Sequence, residues 1–238
     1  ETGDGVGKNE AKAVELYRKA TEQGYAEAQY KMGECYYYGT GIACDEDEAT
    51  KWYRKAAEQG FAQAQRTLGD CYYNGDGVEE DDKEAANWYQ KAAEQGDAEA
   101  QYMLGECYYY GRGIDENEAE AVKWYQKAAE QGDAEAQYDL GRCYDYGEGV
   151  EKNSTKAVEW YRKSAEQDYP WAQDRLGDCY YYGRGVAENK AEAVKWYRKA
   201  AEQDIANAQY SLGIGWTMGL GADFPSCWTV HLPHAGTP

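Results

Sequence analysis

Apolar and small residues recur along this chain at offsets of 3, 4, 7 and 8, the spacing of one face of an α-helix, with polar residues between them. Over residues 26–38 the stripe is Ala28, Gln29, Met32, Gly33, Cys35 and Tyr36, and it returns with few exchanges further along the chain. Its glycine stands at Gly33, Gly69, Gly105, Gly141, Gly177 and Gly213, spaced by 36 residues without insertion. The pattern predicts a helix at each place with this stripe buried. A glycine inside a helix costs about 1 kcal/mol relative to alanine. Its recurrence therefore predicts a close approach there, read here as that of a neighbouring backbone.

A second helix follows in each unit, represented by Ala-Thr-Lys-Trp-Tyr-Arg-Lys-Ala-Ala-Glu-Gln-Gly from Ala49 to Gly60, with Trp at 52, 88, 124, 160 and 196 and Tyr after it each time. Asn9, Asp45, Asp81, Asn117, Asn153 and Asn189 are N-cap residues in front of it, with Glu three positions later at 48, 84, 120 and 192. Gly24, Gly60, Gly96 and Gly132 supply a left-handed stop, replaced by Asp168 and Asp204 in the last two units. The Gly-x-Gly-(Val/Ile) elements at 39–42, 75–78, 111–114, 147–150 and 183–186 read as the turn between the two helices. They lack the preceding strand and the Lys-Ser/Thr of a phosphate-binding loop. Units of this kind bury themselves only against their neighbours, so the 238 residues measure a number of repeats and not a number of globular domains.

Charge narrows the partners. The formal net charge is −19 and the pI about 4.5, a field that opposes nucleic acid and anionic lipid and favours basic partners. No run approaches the roughly 18 to 20 apolar residues that span a bilayer, and nothing reads as a signal segment. The chain is expected to be soluble, with a cytoplasmic place and secretion after signal removal both left open.

Candidate chemistry is sparse. Cys35, Cys71, Cys107, Cys143 and Cys179 occupy one repeat position and form a series and not pairs. Equivalent points on packed helices lie about 8 to 10 Å apart, whereas a disulfide needs Cα atoms within roughly 7 Å. The series is expected to be reduced, buried and apolar in role, with Cys44 and Cys227 outside it. The two histidines, His231 and His234, lie in the last residues, so no His-dependent catalytic constellation is available in the repeats. Cys227, His231 and His234 match no metal signature, and the runs Asp45-Glu46-Asp47-Glu48 and Glu79-Glu80-Asp81-Asp82 lack the EF-hand pattern and read as helix starts. No metal, cofactor or catalytic residue is expected. Asn153-Ser154-Thr155 is a glycosylation sequon that matters only in a secreted chain.

The run Ala-Glu-Ala-Gln-Tyr-Met-Leu-Gly-Glu-Cys-Tyr-Tyr-Tyr-Gly-Arg-Gly-Ile at 98–114, followed by Glu-Ala-Val-Lys-Trp-Tyr-Gln-Lys-Ala-Ala-Glu-Gln-Gly at 120–132, resembles the Sel-one-like repeat (SLR), a relative of the tetratricopeptide repeat. The resemblance covers roughly residues 3 to 221. It implies an all-α fold, a right-handed α/α superhelical solenoid whose concave face is lined by the first helices and acts as an adaptor for proteins. In a cysteine-rich subclass both helices of a unit carry a bridged cysteine; the second helix here has none. The expected layout is a solenoid over 1–221, with an opening helix, five complete helix pairs and a terminal helix. A distinct apolar tail over 222–238 follows, containing no Lys, Arg or Glu.

By the same analogy the groove displays the residues of the first helix outside the buried stripe. These are Glu27, Tyr30, Glu34, Tyr37 and Tyr38 in one unit and Glu99, Tyr102, Glu106, Tyr109 and Tyr110 in another, joined by Tyr138, Tyr146, Trp171, Tyr181 and Tyr182. The columns vary between units, reading Arg66, Asp70 and Asn74 in the second, Arg142 and Asp145 in the fourth, and Asp174 and Asp178 in the fifth. The function expected is that of a non-enzymatic protein- or peptide-binding scaffold with an acidic, Tyr-rich groove for a basic or aromatic segment. The competing classes are a self-assembling repeat protein, joined through its tail or its unmatched ends, and a hydrolase-like relative.

Overall fold

The computed structural model describes residues 9–217. Among them the regular structure is helical throughout. The order is α1 (Glu10–Glu22), α2 (Ala26–Tyr38), α3 (Glu46–Glu58), α4 (Ala62–Asn74), α5 (Asp82–Glu94), α6 (Ala98–Tyr110), α7 (Glu118–Glu130), α8 (Ala134–Tyr146), α9 (Ser154–Glu166), α10 (Pro170–Tyr182), α11 (Lys190–Glu202) and α12 (Ala206–Thr217). A helix of 13 residues, such as α6 or α7, is marginal alone in water and takes its stability from packing. Each helix packs on the next in sequence, from α1 on α2 to α11 on α12, and the product is an α/α solenoid. The core is serial. Ala85, Tyr89 and Ala92 of α5 close on Ala100, Leu104 and Cys107 of α6, and Ala121, Tyr125 and Ala128 of α7 repeat the arrangement with Ala136, Leu140 and Cys143 of α8.

The helix boundaries follow the capping signals. Asn9, Asp45, Asp81, Asn117, Asn153 and Asn189 each accept a hydrogen bond from the backbone N–H three residues on. Asp168 and Asp204 adopt φ of 62° and 64°, the left-handed stop that glycine provides in the earlier units. The five series cysteines are buried and unbridged, while Cys44 is exposed. Burial pushes the thiols of Cys107, Cys143 and Cys179 up to about 12.

The close approach at the helical glycines differs from expectation. A Cβ at Gly105 would lie 2.6 Å from the ring of Tyr125, and Gly33, Gly69, Gly141 and Gly177 face Tyr53, Tyr89, Tyr161 and Tyr197 in the same way. The neighbour is therefore an aromatic ring of the following helix, not a backbone. Backbone approach occurs instead at the second glycine of the turn, where a Cβ on Gly113 would collide with the Asp82 carbonyl at the start of α5.

The one polar member of the stripe also has a physical account. Buried Gln101 donates through Nε2 to the Ala93 carbonyl at 3.1 Å and accepts from Gln131 Nε2 at 2.8 Å. Gln65, Gln137 and Gln173 repeat this arrangement, so the ladder satisfies a carbonyl near the end of α3, α5, α7 and α9 and ties successive units together. On the second-type helices a lysine covers each tryptophan, as Lys91 does Trp88 at 3.6 Å and Lys127 does Trp124 at 3.5 Å.

Candidate functional site

Three of the first-type helices, α2, α6 and α10, end on two adjacent tyrosines, and these behave differently. Tyr38, Tyr110, Tyr146 and Tyr182 occupy one repeat position and are 71%, 50%, 50% and 64% exposed. In three units the preceding ring buttresses the exposed one edge-on, with centroids 5.0 Å apart for Tyr37 and Tyr38 and 4.9 Å apart for both Tyr109–Tyr110 and Tyr181–Tyr182. The buttressing rings are half-buried, and the hydroxyls of two of them are tied across the unit boundary. Tyr37 donates to Asp76 at 3.4 Å and Tyr109 to Glu148 at 2.8 Å. Such a support holds the outer ring at low entropy cost.

The column at Tyr30 is packing. Tyr30, expected among the displayed residues, is 5% exposed, with its ring 5.5 Å from Tyr53 and 5.6 Å from Phe61. Tyr102 and Tyr138 are half-buried in the same manner against Tyr125 and Tyr161. A first-type helix is flanked by second-type helices of its own and the preceding unit. Its buried surface is consequently wider than a single stripe.

The acidic residues divide likewise. Glu27 and Glu99 are exposed, the first accepting from Tyr25 at 3.0 Å and the second paired with Arg66 at 3.2 Å. Glu34 is half-buried and paired with Lys31 at 2.7 Å. Glu106 accepts from the Tyr125 hydroxyl at 2.5 Å, and burial raises its carboxyl above the usual range. Asp139, which the sequence reading did not single out, is buried beside it. Its carboxyl is pushed up to about 6 by burial and opposed by Arg142, whose Nη1 donates to it at 2.9 Å. Burial also raises Asp174 to about 6. Trp171 is exposed at the start of α10.

Tyr30, Glu34, Tyr37 and Tyr38 come together with Tyr53, Asp70 and Asp76 around a cavity of about 310 Å³ between the first and second complete units. Seventy-two residues on, Glu106, Tyr109, Tyr125 and Glu148 repeat that lining, but the space there is closed. No group of metal-ligating side chains is assembled among the described residues, and no helix there is long and apolar enough to cross a membrane. The expectations for Cys227, His231, His234 and the tail over 222–238 fall outside the described residues.

Among solved structures, a protective antigen present in uropathogenic Escherichia coli strains, displaying an SLR fold, is 40% identical at a TM-score of 0.87. The match covers 91% of this chain and 46% of that one, so this chain spans about half the length of the antigen. A Sel1 repeat protein from Oxalobacter formigenes is 35% identical at a TM-score of 0.78, covering 89% of this chain and 90% of its own. An immunity protein from Pseudomonas aeruginosa, 22% identical at a TM-score of 0.51 over 82% of this chain and 74% of its own, shares the fold. A comparison with curated proteins gave no match. The Sel1 repeat itself is matched at residues 1–25, 26–61, 62–97, 98–133, 134–169 and 172–205, and with the 36-residue period, the glycine-on-tyrosine packing and these two relatives, the chain belongs to the Sel1 repeat family.

Proposed function

We propose that this chain is a non-enzymatic scaffold that binds a basic or aromatic protein segment along its acidic, tyrosine-bearing face. Sel1 repeat proteins are typically protein-interaction scaffolds, and that family role supports the reading. The observation that carries it is the column of Tyr38, Tyr110, Tyr146 and Tyr182, half to nearly three-quarters exposed at one repeat position. Four such rings are repeated sites along one ligand, and repetition multiplies weak contacts. The surrounding charge, −19 over the chain, steers cationic segments toward them. The perturbed acids do not suggest catalysis. Asp139 accepts from Arg142 and from the Tyr102 hydroxyl at 3.2 Å, which is a structural use.

The test is fluorescence anisotropy with a panel of labelled 12-residue peptides that combine Lys or Arg with Trp or Tyr. The best binder is then measured against Y110A/Y146A/Y182A. A loss of about tenfold or more is expected, the scale of several aromatic contacts. Undiminished affinity in a folded triple variant refutes the assignment of this face. Hydrolysis that survives stringent repurification refutes the non-enzymatic reading.

A further inference from the structure

We infer that the cavity between the first and second complete units is a socket for one arginine side chain of the partner segment. This rests on the groove reading above and names the group that anchors it. The cavity, about 310 Å³, is walled by Tyr37, Tyr38 and Tyr53 and carries the carboxylates of Glu34, Asp70 and Asp76. At roughly 30 Å³ per water it has room for about ten waters, near the lower end of ligand pockets at roughly 300 to 1,000 Å³. Its one guanidinium, that of Arg66, is already engaged by Asp70 and Glu99 at 3.2 Å and by Asp97 at 3.6 Å, partners that reach into the third unit.

The chain itself shows what such a lining accepts. Between the third and fourth units the same lining is closed by Arg142, which stands where the first site has Asp70. Its guanidinium lies on Asp139 and 6.0 Å from the Tyr138 ring. Between the second and third units Arg112 donates to the Tyr73 hydroxyl, with its guanidinium 5.4 Å from the Tyr73 ring and 5.0 Å from that of Tyr110. Between the fourth and fifth, Arg175 and Arg184 lie 3.6 and 3.5 Å from Asp178, and the Arg184 guanidinium is 5.5 Å from the Tyr182 ring. At the first junction, Asp76, Asp70 and Thr67 hold the positions of Arg112, Arg142 and Arg175, so none of the guanidinium positions used at the later junctions is filled, and Arg66, which is present, is taken by partners in the second and third units.

Tyr53 adds an unused group. Tyr89, Tyr125 and Tyr197 donate to Asp70, Glu106 and Asp178 at 2.9, 2.5 and 2.8 Å. Tyr53, only 2% exposed, forms no such bond among the described residues, its counterpart Glu34 being held by Lys31. Tyr53 lines the cavity, and a tyrosine hydroxyl that donates to no acid keeps its lone pairs to accept an N–H. A planar guanidinium stacks on the rings while its fork bonds carboxylates, and it is less strongly hydrated than an ammonium. Arginine therefore fits where lysine supplies charge alone.

Calorimetric titration of the full chain with acetylated, amidated hexa-arginine and with hexa-lysine of equal charge tests the socket. Hexa-arginine is expected to bind about tenfold tighter or more. The variant T67D/D70R/N74Y grafts the packing of Asp139, Arg142 and Tyr146 into the first site, and should lower that affinity by about tenfold. E166Q, which changes the net charge by the same amount at an exposed position at the end of α9, should leave affinity within about twofold. Equal affinity for the two peptides, or a graft that binds like E166Q, overturns the socket. Should the graft fail to fold, Y53F removes only the hydroxyl and is expected to cost several-fold; no loss with it overturns the socket equally. Y110A/Y146A/Y182A leaves the cavity lining intact and separates the two proposals. If it weakens the aromatic peptide while the graft leaves hexa-arginine unaffected, the groove stands without the socket. The reverse pattern leaves the socket without the groove.

Discussion

Gly105→Ala sets two known effects against each other, and the structure decides which wins. Replacing a glycine inside α6 favours the helix by about 1 kcal/mol. The new methyl group would sit 2.6 Å from both Cδ1 and Cε1 of Tyr125, well inside contact distance, so the ring must move. The ring has little freedom to do so. Tyr125 is fully buried, its far end is fastened to Glu106 at 2.5 Å, and Tyr102 and Tyr109 lie 5.9 and 6.4 Å away. Overpacking of this kind costs about 1 to 3 kcal/mol, and displacing the hydroxyl weakens a hydrogen bond to a charged acceptor worth about 1.5 to 3 kcal/mol. The net expectation is a destabilisation of about 2 to 3 kcal/mol, read by urea denaturation followed by circular dichroism. On a Tyr125→Leu background the obstruction is gone, and the same substitution should become neutral or stabilising by up to about 1 kcal/mol. A neutral Gly105→Ala in the wild-type chain, or a cost that persists without the ring, refutes the packing account of the repeat glycine.

Three further outcomes follow from the buried groups. Asp174 has its carboxyl raised from 3.8 to about 6, so the folded state holds a proton that the unfolded chain releases, and stability contributed by this group falls as pH rises from about 4 through 6. Asp174→Asn should therefore match the wild type at pH 4 and exceed it at pH 7 by at most about 3 kcal/mol, at about 1.4 kcal/mol per pH unit; chemical denaturation at the two pH values checks this, and an equal difference at both defeats it. Thiol labelling of the folded chain should modify Cys44 well before Cys35, Cys71, Cys107, Cys143 and Cys179, since the first is exposed and the others are buried with raised thiols; mass spectrometry showing equal rates would remove the packing role. The Tyr161 hydroxyl is buried without a partner among the described residues because Arg142 stands where Asp70, Glu106 and Asp178 serve its counterparts, so D139T/R142D, which copies Thr67 and Asp70, should stabilise the chain by about 1 to 2 kcal/mol in thermal denaturation.

Local chemistry made the helices legible. An Asn117 side chain that caps the Glu120 N–H, or an Asp168 that turns the chain at φ of 62°, acts within a few residues of itself, and such signals stand in the sequence as written. The stripe of Ala28, Gln29, Met32, Gly33 and Cys35 was legible for a related reason: helical geometry alone puts these positions on one face, and repetition shows which of them never change.

The tertiary structure decided how wide that face is and where its surface opens. Tyr30 and Tyr38 read alike in sequence, yet one packs between Tyr53 and Phe61 and the other is 71% exposed, because burial depends on which neighbouring helix lies over each position. Variation at Arg66, Asp70 and Asn74 was visible as variation. That these exchanges share one space with Tyr37 and Asp76, and leave it open where Asp139 and Arg142 close it, depends on residues some 30 to 40 positions apart meeting across a unit boundary. The sequence by itself determined the solenoid, since each element is specified by short-range periodicity and caps. The cavity came only from the stacking, because an empty volume is a property of how several side chains fill space together and no one of them encodes it.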